Sequence, residues 1–450
     1  MISETECVLE IPTPKVPISI RGSRLKLAIL ASIGSKLVTV VLQFLVLPLA
    51  IRALGAERYG VYAMLISSLG WITLVGVGIS PSLTIAIAAA RGNSRKEAGY
   101  LTSALCITSA ICTVILAALG ILVWRYGIIG LFGSHYVAYS QDIRIGLCIL
   151  TSYLLTQLLL IVVEGAQSGY QEMHIISFYG MLGQILATIS LAIVVYYHAV
   201  SVVSLIVCLC VVTNIPRLCN SLLLIGRART YLLPRPRHFS PQLSRVLVSA
   251  GMAFGLVGLG QFLRQECSTM VVGRLLGPGP VASYAIMLYV TVLASGIVTM
   301  QLGPLLPAIT DAMANSDLMW IRMAWRRSLY TNMAYAITFG ATLMVGGSTI
   351  VSLLYGPAMA PTTMLQIAIG LGFILQTWEI NHHLVLFGLG CMWPTAVAFV
   401  LQNTVGILLC LVLVPIYGAA GAAGAFLITS VALDAWFLPY LLRSQLAKHA

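Results

Sequence analysis

Charged residues are scarce in this sequence. Only 8% of its 450 residues are Asp, Glu, Lys or Arg, whereas about a quarter are charged in soluble domains. Hydrophobic residues make up 59% of the chain and the mean hydropathy is +0.97, which excludes an ordinary soluble protein and indicates an integral membrane protein. Acidic residues are rarer than basic residues, and the net charge is +12. Such a positive charge is typical of membrane proteins whose basic loops set their orientation. We therefore expect no nucleic-acid partner.

Motifs of soluble enzymes are also missing. The sequence contains neither a G-x-x-x-x-G-K-[ST] phosphate loop nor an H-E-x-x-H zinc helix. Its ten cysteines lack the spacing of metal ligands and fall mainly in or beside apolar segments, so they are expected to pack in the interior. These absences predict a protein that is not an enzyme, with no catalytic residues, no metal and no cofactor; coupling to H⁺ or Na⁺ stays open.

Long apolar runs recur along the whole chain. A helix needs about 20 apolar residues to cross the hydrocarbon core, and helices satisfy their own backbone in lipid. The runs predict an all-α integral membrane protein of about twelve transmembrane helices. The predicted spans are 27–50, 60–82, 99–124, 145–165, 175–197, 201–226, 246–273, 282–306, 329–353, 362–387, 394–415 and 420–441.

An even number of spans places both termini on one side of the membrane. The loops on that side carry most of the 25 basic residues, so the termini are predicted to be cytoplasmic. A long polar connection, RARTYLLPRPRHFSPQLSR, lies near the middle of the chain and is interpreted as a linker. The predicted organisation is a cytoplasmic tail over 1–25, a six-helix bundle over 26–226, a cytoplasmic linker over 227–245, a second six-helix bundle over 246–442 and a tail over 443–450.

Two similar segments occur at distant positions in the sequence. RALGAERYGVYA begins at Arg52 and RLLGPGPVASYA begins at Arg274, an offset of 222 (274 − 52). The offset aligns the Arg, the Leu-Gly pair and the Tyr-Ala pair, and it also aligns Gln265 with Gln43. It indicates two parallel six-helix repeats, an arrangement that transporters use, although a favourable helix stop alone is the simpler alternative. In this interpretation a helix ends at Gly55 and the chain re-enters the membrane at Tyr62.

Ionisable residues inside the spans are the candidates for function. Each costs about 2.5–3.5 kcal/mol near the bilayer centre, so such residues are expected to face protein or a wet cavity. Helical spacing places several of them in polar stripes, such as Ser32, Lys36, Thr39 and Gln43 in the first span. The ionisable residues within spans are Lys36, Arg217, Arg264, Glu266, Glu379 and Asp434, with Glu164 at a cytoplasmic edge.

Lys36 lies so deep in its predicted helix that its ammonium group would reach the membrane surface only with difficulty. It is therefore the strongest candidate for a cation that faces a cavity. Arg217 and Arg264 are further candidates, but both could snorkel. Glu379 and Asp434 could neutralise buried cations, or they could take up protons, since burial favours the neutral carboxyl. His382 and His383, one turn from Glu379, could join such a relay or bond to helix carbonyls.

Four segments together resemble a known family. They are LPLAIRALGAERYGVYA, EGAQSGYQEMHIISFYG, VVGRLLGPGPVASYAIMLYV and LGPLLPAITDAM. In this order and spacing the chain, from about Leu25 to Leu442, resembles the lipid-linked oligosaccharide flippases of bacterial polysaccharide synthesis. These belong to the multidrug/oligosaccharidyl-lipid/polysaccharide exporter superfamily.

The resemblance implies a V-shaped pair of six-helix bundles that works by alternating access in the bacterial inner membrane. Its substrate would be an oligosaccharide on undecaprenyl diphosphate, moved from the cytoplasmic to the periplasmic leaflet for surface polysaccharide synthesis. Membrane lipid is a further expected partner, and a polysaccharide polymerase and a chain-length regulator are candidate partners. A basic cavity wall suits the diphosphate. The substrate-site candidates are Lys36, Arg217, Arg264, Gln43 and Gln265, and the ion-coupling candidates are Glu379, Asp434, Glu266 and His383.

Two alternatives remain at this stage. A cation-coupled multidrug exporter of the same superfamily would favour an acidic cavity, and the intramembrane acids and bases nearly balance. Lys36 and Arg217 favour the flippase, because they place two cations in the first half. A non-transporting scaffold of a polysaccharide synthesis complex would need neither matched halves nor polar stripes.

Overall fold

A computed structural model of the chain describes residues 48–302, 305–314 and 316–448, and this part is helical without a β-strand. A helix over 48–54, called α1, is followed by thirteen more. They are α2 (Ala56–Leu69), α3 (Trp71–Ala89), α4 (Ser94–Phe132), α5 (Ser140–Gly169), α6 (Met173–Tyr196), α7 (Val202–Ala228), α8 (Pro241–Phe262, continuing through Leu263–Cys267 and Ser268–Leu276), α9 (Pro278–Leu302), α10 (Leu305–Ala314), α11 (Leu318–Tyr355), α12 (Thr363–Gly388), α13 (Met392–Tyr417) and α14 (Ala419–Ala447). Short 3-10 helices cover Ser134–Tyr139, Thr230–Leu232, Pro236–His238 and Pro357–Met359.

The predicted spans agree closely with these helices. Within the described ranges, nine helices are long and apolar enough to cross a membrane, and a bent pair in α8 makes a tenth. The predicted span 60–82 is divided at Gly70 into α2 and α3, where the φ and ψ angles stay helical but the helix is interrupted. Most of the predicted span 27–50 lies outside the described residues. The all-α, multi-pass membrane fold is therefore confirmed.

The repeated segment forms the same glycine turn in both halves. Gly55 follows α1 with φ of 85°, and Gly277 follows α8 with φ of 86°. Both angles lie in the region that only glycine adopts without strain, and each glycine donates its N–H to the carbonyl four residues earlier. The predicted helix end at Gly55 is confirmed, and the offset of 222 (277 − 55) corresponds to an equivalent turn.

The halves pack against each other along α2 and α3. Near the start of α2, a Cβ on Gly60 would overlap the carbonyl oxygen of Pro278 at the start of α9. Further along, a Cβ on Gly78 of α3 would lie 2.8 Å from the carbonyl oxygen of Gly251 in α8, and the reverse distance is also 2.8 Å. Small residues allow this approach of backbones. The halves thus touch near the start of α2 and again within α3.

Apolar packing is shared between the halves. The largest buried cluster contains Met64 and Tyr136 from the first half and Tyr284 and Ile286 from the second, each no more than 1% exposed. A second cluster, on the side of the predicted cytoplasmic loops, joins α3, α4 and α5 to Leu232 of the linker and Leu247 of α8. The halves are therefore not separate cores joined only by a chain.

The linker is bound to the first half at its beginning. Arg229 forms an ion pair with Glu172 at 2.7 Å, and its guanidinium lies 3.8 Å from the centre of the Tyr170 ring. The hydroxyls of Tyr170 and Tyr231 each donate to Glu97 at 2.6 Å. Burial raises the pKa of Tyr231, so its hydroxyl stays protonated and remains a donor.

The far end of the linker also contacts the first half. Ser240, the N-cap of α8, donates its N–H to the hydroxyl of Ser103 in α4, and its carbonyl accepts from the same hydroxyl, both at 3.3 Å. In addition, a Cβ on Gly99 would lie 2.8 Å from Leu243. Both ends of the predicted linker, 227–245, therefore lie against the first half in this conformation.

Replacement of Gly60 by valine should destabilise the fold, because any Cβ would overlap the carbonyl of Pro278. Overpacking of this kind costs about 1–3 kcal/mol or more. The control is Gly120→Val in α4, where no atom lies within 4 Å of the added Cβ. We expect a lower melting temperature in detergent for Gly60→Val only; equal values would show that the contact with α9 does not constrain the fold.

Candidate functional site

The first polar cluster lies within the amino-terminal half, between α5 and α7. Arg217 binds Glu164 through two bonds, from Nε at 2.8 Å and from Nη2 at 2.7 Å, and its Nη1 donates to Asn214 Oδ1 at 3.2 Å. The two charged side chains are 17% and 14% exposed. A bidentate arginine–carboxylate pair is strong and fixes the geometry of both groups. Arg217 is thus paired within its own half.

The same two helices form a second polar pair one turn further on. The side-chain amides of Gln167 and Asn220 bind each other, and both are nearly completely buried. The partners are 53 residues apart in this pair and in the Glu164–Arg217 pair. A constant separation is what two helices running in the same direction produce. Asn214, Arg217 and Asn220 therefore lie on the face of α7 that is directed at α5.

The second polar cluster lies within the carboxy-terminal half and surrounds Arg264. Its Nη1 donates to Glu379 Oε2 of α12 at 3.1 Å, and its Nη2 donates to Ser430 Oγ of α14 at 2.8 Å. Glu379 is 1% exposed and the Arg264 side chain is 13% exposed. Arg264 reaches across the half from α8 instead of snorkelling to the surface, because a charge needs a partner at this depth.

Gln402 of α13 completes this cluster. Its carboxamide, oriented from the surrounding hydrogen bonds, accepts from Ser430 and Arg264 through its oxygen and donates to Asp434 Oδ2 at 3.1 Å through its nitrogen. Gln402 is fully buried and Asp434 is 1% exposed. One guanidinium and two carboxyls therefore share a connected site. Arg264 lies in the π-helical turn Leu263–Cys267, and Asp434 lies in a second one, Ser430–Asp434, a feature frequent at functional sites.

Glu266 is directed away from this cluster. It accepts a hydrogen bond from Ser67 of α2, and its Cγ lies 2.7 Å from the position of a Cβ on Gly70. Residues two apart do not share a helix face, which explains why Arg264 contacts the second half and Glu266 the first. Glu266 thus connects the halves where α2 and α3 meet.

The remaining candidates are more scattered. His383 is 8% exposed, packs against the ring of Phe399 at 5.2 Å and leaves Nε2 without a hydrogen bond. The backbone carbonyl of Gln265 accepts from Ser268 and Thr269. Lys36 and Gln43, together with Ser32 and Thr39 of the predicted stripe, lie outside the described residues.

Sequence reasoning missed several members of these clusters. Gln402 and Asn403 are adjacent amides inside the predicted span 394–415, and this signal could have been used. Ser430 gives no signal, because a serine in an apolar helix normally bonds to its own backbone. Glu97, with Tyr170 and Tyr231, depends on loops far apart in sequence and could not be found from spacing.

Each half contains an open cavity bordered by the equivalent pair of helices, α5 and α7 in the first half and α12 and α14 in the second. The carboxy-terminal cavity, of about 60 Å³, is lined by Arg264, Ser430, Phe373 and Phe426 among others. The amino-terminal cavity, of about 480 Å³, lies between α5 and α7 and is lined by Tyr153 and Asn214 among others. The larger space lies in the first half.

This helical arrangement has the fold of membrane transporters of the multidrug/oligosaccharidyl-lipid/polysaccharide exporter (MOP) superfamily. An inward-facing multidrug resistance MATE family transporter of this superfamily matches with a TM-score of 0.74 at 14% identity, over 92% of this chain and 98% of that chain. A MOP superfamily transporter from Pyrococcus furiosus matches with 0.68 at 14% identity, over 94% and 96%. The lipid II flippase MurJ, in an inward closed conformation, matches with 0.67 at 14% identity, over 93% and 89%.

The chain belongs to the family described as polysaccharide biosynthesis protein, whose model matches residues 27–313, more than half of its length. No curated protein sequence matches the chain. The family resemblance and the transporter fold expected from the sequence are both confirmed.

Removal of Glu379 should cost more stability than removal of an acid near the surface. Glu379→Ala leaves Arg264 buried without its carboxylate, which costs about 3–5 kcal/mol. The matched control is Glu172→Ala, whose pair with Arg229 is 23% and 21% exposed and whose loss costs about 1 kcal/mol or less. Thermal unfolding in detergent measures both, and a larger effect of Glu172→Ala would contradict the assignment.

Proposed function

We propose that this protein flips an undecaprenyl-diphosphate-linked oligosaccharide from the cytoplasmic to the periplasmic leaflet of the bacterial inner membrane. The observation that carries the proposal is membership of the polysaccharide biosynthesis family over residues 27–313. Similarity in fold to a lipid II flippase supports a lipid-linked substrate. The substrate would serve surface polysaccharide synthesis, such as O-antigen, capsule or exopolysaccharide.

The mechanism we propose is alternating access, with both termini in the cytoplasm. Contacts between the halves at two depths, Gly60–Pro278 near the start of α2 and Gly78–Gly251 within α3, support it, because alternating access needs contacts between the halves that separate in turn. Long helices such as α5 and α12 carry the polar clusters and would move as rigid parts of their halves.

The diphosphate would be recognised by basic and amide groups. Lys36, Arg217 and Arg264, with Gln43 and Gln265, are the proposed set. Both oxygens of Glu164 occupy the guanidinium of Arg217 in this conformation. A phosphate group has to displace Glu164 in order to use that fork, so Lys36 is the leading candidate for the first contact.

Ion coupling, if the transport cycle uses it, is proposed for the carboxy-terminal cluster. The cluster has one guanidinium for two carboxyls, because Glu379 binds Arg264 directly and Asp434 is connected to it through Gln402. Full ionisation of both carboxyls therefore leaves one negative charge of this cluster without compensation. One H⁺ or Na⁺ would restore neutrality. Glu266 and His383 are further candidates, Glu266 because its contact with Ser67 joins the two halves.

The decisive measurement uses the purified protein in liposomes, with a fluorescent undecaprenyl-diphosphate-linked oligosaccharide on one leaflet and, separately, a cationic dye. Each is measured with and without a proton gradient. We expect translocation of the glycolipid. Dye export without glycolipid translocation would favour a multidrug exporter, the class of another structural relative, and inactivity toward both would favour a scaffold.

Lys36→Ala should reduce glycolipid translocation without loss of membrane insertion, because the variant removes a cation predicted to lie deep in the first span. Loss of a hydrogen bond to a charged group costs about 1.5–3 kcal/mol, which corresponds to roughly a ten- to hundredfold slower rate. Lys96→Ala, at an exposed position at the start of α4, is the control. Equal rates for Lys36→Ala and the wild type would remove Lys36 from the site.

A disulfide between Ser103→Cys and Ser240→Cys should stop transport, because it would hold the start of α8 against α4. The wild-type contact between these residues is a pair of hydrogen bonds at 3.3 Å. Reduction of the disulfide should restore the rate, and each single variant should transport in both redox states. Full transport by the cross-linked protein would show that this end of the molecule does not open.

A further inference from the structure

The binding of a diphosphate does not by itself explain the lining of the cavity in the amino-terminal half. Its α5 wall consists of Cys148, Ile149, Ser152, Tyr153 and Thr156. An offset of 220 places these residues on the wall of the other cavity, for example Tyr153 on Phe373 (373 − 153) and Cys148 on Ala368 (368 − 148). The two cavities are therefore equivalent spaces of the repeat, but the first is several times larger. A volume of about 480 Å³ lies in the range of small-ligand sites.

Asn214, on the α7 wall, has an unused hydrogen-bond donor. The residue is 5% exposed, and its Oδ1 accepts from Arg217, but its Nδ2 has no hydrogen-bond partner among the residues that the structure describes. A buried donor without a partner costs about 1–3 kcal/mol. Because Asn214 lines the cavity, an acceptor on a bound molecule would remove this cost.

The opposite wall offers hydroxyl oxygens and an aromatic ring. The hydroxyls of Ser152 and Thr156 donate to the carbonyls of Cys148 and Ser152, so their oxygens remain available as acceptors. Tyr153, between them in sequence, contributes its ring. Donors, acceptors and an aromatic face at one place match a molecule that carries both hydroxyl groups and apolar C–H faces.

We propose that this cavity binds sugar rings of the glycan while the lipid-linked substrate crosses the membrane. This inference rests on the proposed function and adds a place for the sugar within it. The charge distribution supports sugar over phosphate, because none of the described residues that line the cavity is a cation and Glu164 already compensates the neighbouring Arg217. Ile149, Val211, Ile215 and Leu218 give the cavity apolar faces as well, but the hydroxyls and the unpaired amide favour a sugar over an isoprenoid chain, which offers no hydrogen bonds.

Contrary to the expectation that the cysteines pack in the interior, Cys148 is exposed. It provides a natural probe of this cavity, because it lines the cavity and is a free thiol. The protein in liposomes is treated with N-ethylmaleimide, and labelled peptides are quantified by mass spectrometry. Cys106 of α4, an exposed free thiol that does not line the cavity, is the internal control. The two ligands are undecaprenyl-diphosphate-linked oligosaccharide and undecaprenyl diphosphate without sugar.

We expect the glycolipid, at about ten times its Kd, to slow labelling of Cys148 about tenfold, with Cys106 unchanged and with little effect of the sugar-free lipid. Equal protection by both lipids would overturn the proposal in favour of the carrier lipid. Absence of protection, or a Cys148 that does not react in the empty protein, would overturn it as well.

Two variants connect the probe to the proposed contacts. Asn214→Leu should weaken glycolipid protection of Cys148 about tenfold through the lost hydrogen bond, and Tyr153→Leu should weaken it through the lost ring. Tyr153→Phe, which keeps the ring, should bind like the wild type. Unchanged protection in both Asn214→Leu and Tyr153→Leu, with correct folding shown by thermal unfolding, would contradict the site.

Translocation in the same liposomes separates this inference from the proposed function. Translocation without protection of Cys148 would overturn the sugar site and leave the flippase intact. Protection of Cys148 by the glycolipid without translocation would overturn the flippase and leave the sugar site.

Discussion

A charge in the hydrocarbon region has to be neutralised inside the protein, and this constraint organises the polar interior. Arg217 is held by Glu164 between α5 and α7, and Arg264 is held by Glu379 between α8 and α12. Each pair joins helices within one half. The pairs therefore stabilise each half as a unit, and the interface between halves is left to backbone packing and to a few polar contacts such as Glu266 with Ser67.

The two halves have the same turns but different polar interiors. Gly55 and Gly277 end equivalent helices with nearly equal φ angles, whereas the Arg217 cluster of the first half contains one acid and one base and the Arg264 cluster of the second contains two acids and one base. Among the described residues, the first half has the larger of the two cavities and a charge-balanced cluster, and the second has the smaller cavity and a cluster with an excess acid. The proposed sugar site and the proposed ion-coupling cluster therefore lie in different halves of one repeated architecture, and the proposed diphosphate contacts come from both.

Much of this architecture could be predicted from the sequence. Apolar runs of about 20 residues predicted the helices, and the phrase shared by residues 52–63 and 274–285 predicted the equivalent turns. The sequence did not predict the break at Gly70, where the chain packs closely against Glu266 of another helix. The polar faces of the helices that carry Glu164 and Arg217 make a contact between these two residues conceivable. The partner of Arg264 is 115 residues away, and sequence spacing does not indicate such a contact.

The sequence by itself determined the membrane class, the positions of the spans that lie in the described residues, the repeat and the family resemblance. These features follow from hydropathy, glycine positions and local motifs, which are properties of neighbouring residues. Only the tertiary structure decided which charges meet, which face of α5 lines a cavity and where the two halves touch. Those features depend on how helices rotate and pack against each other, and a difference of one residue in register would pair each side chain with another partner.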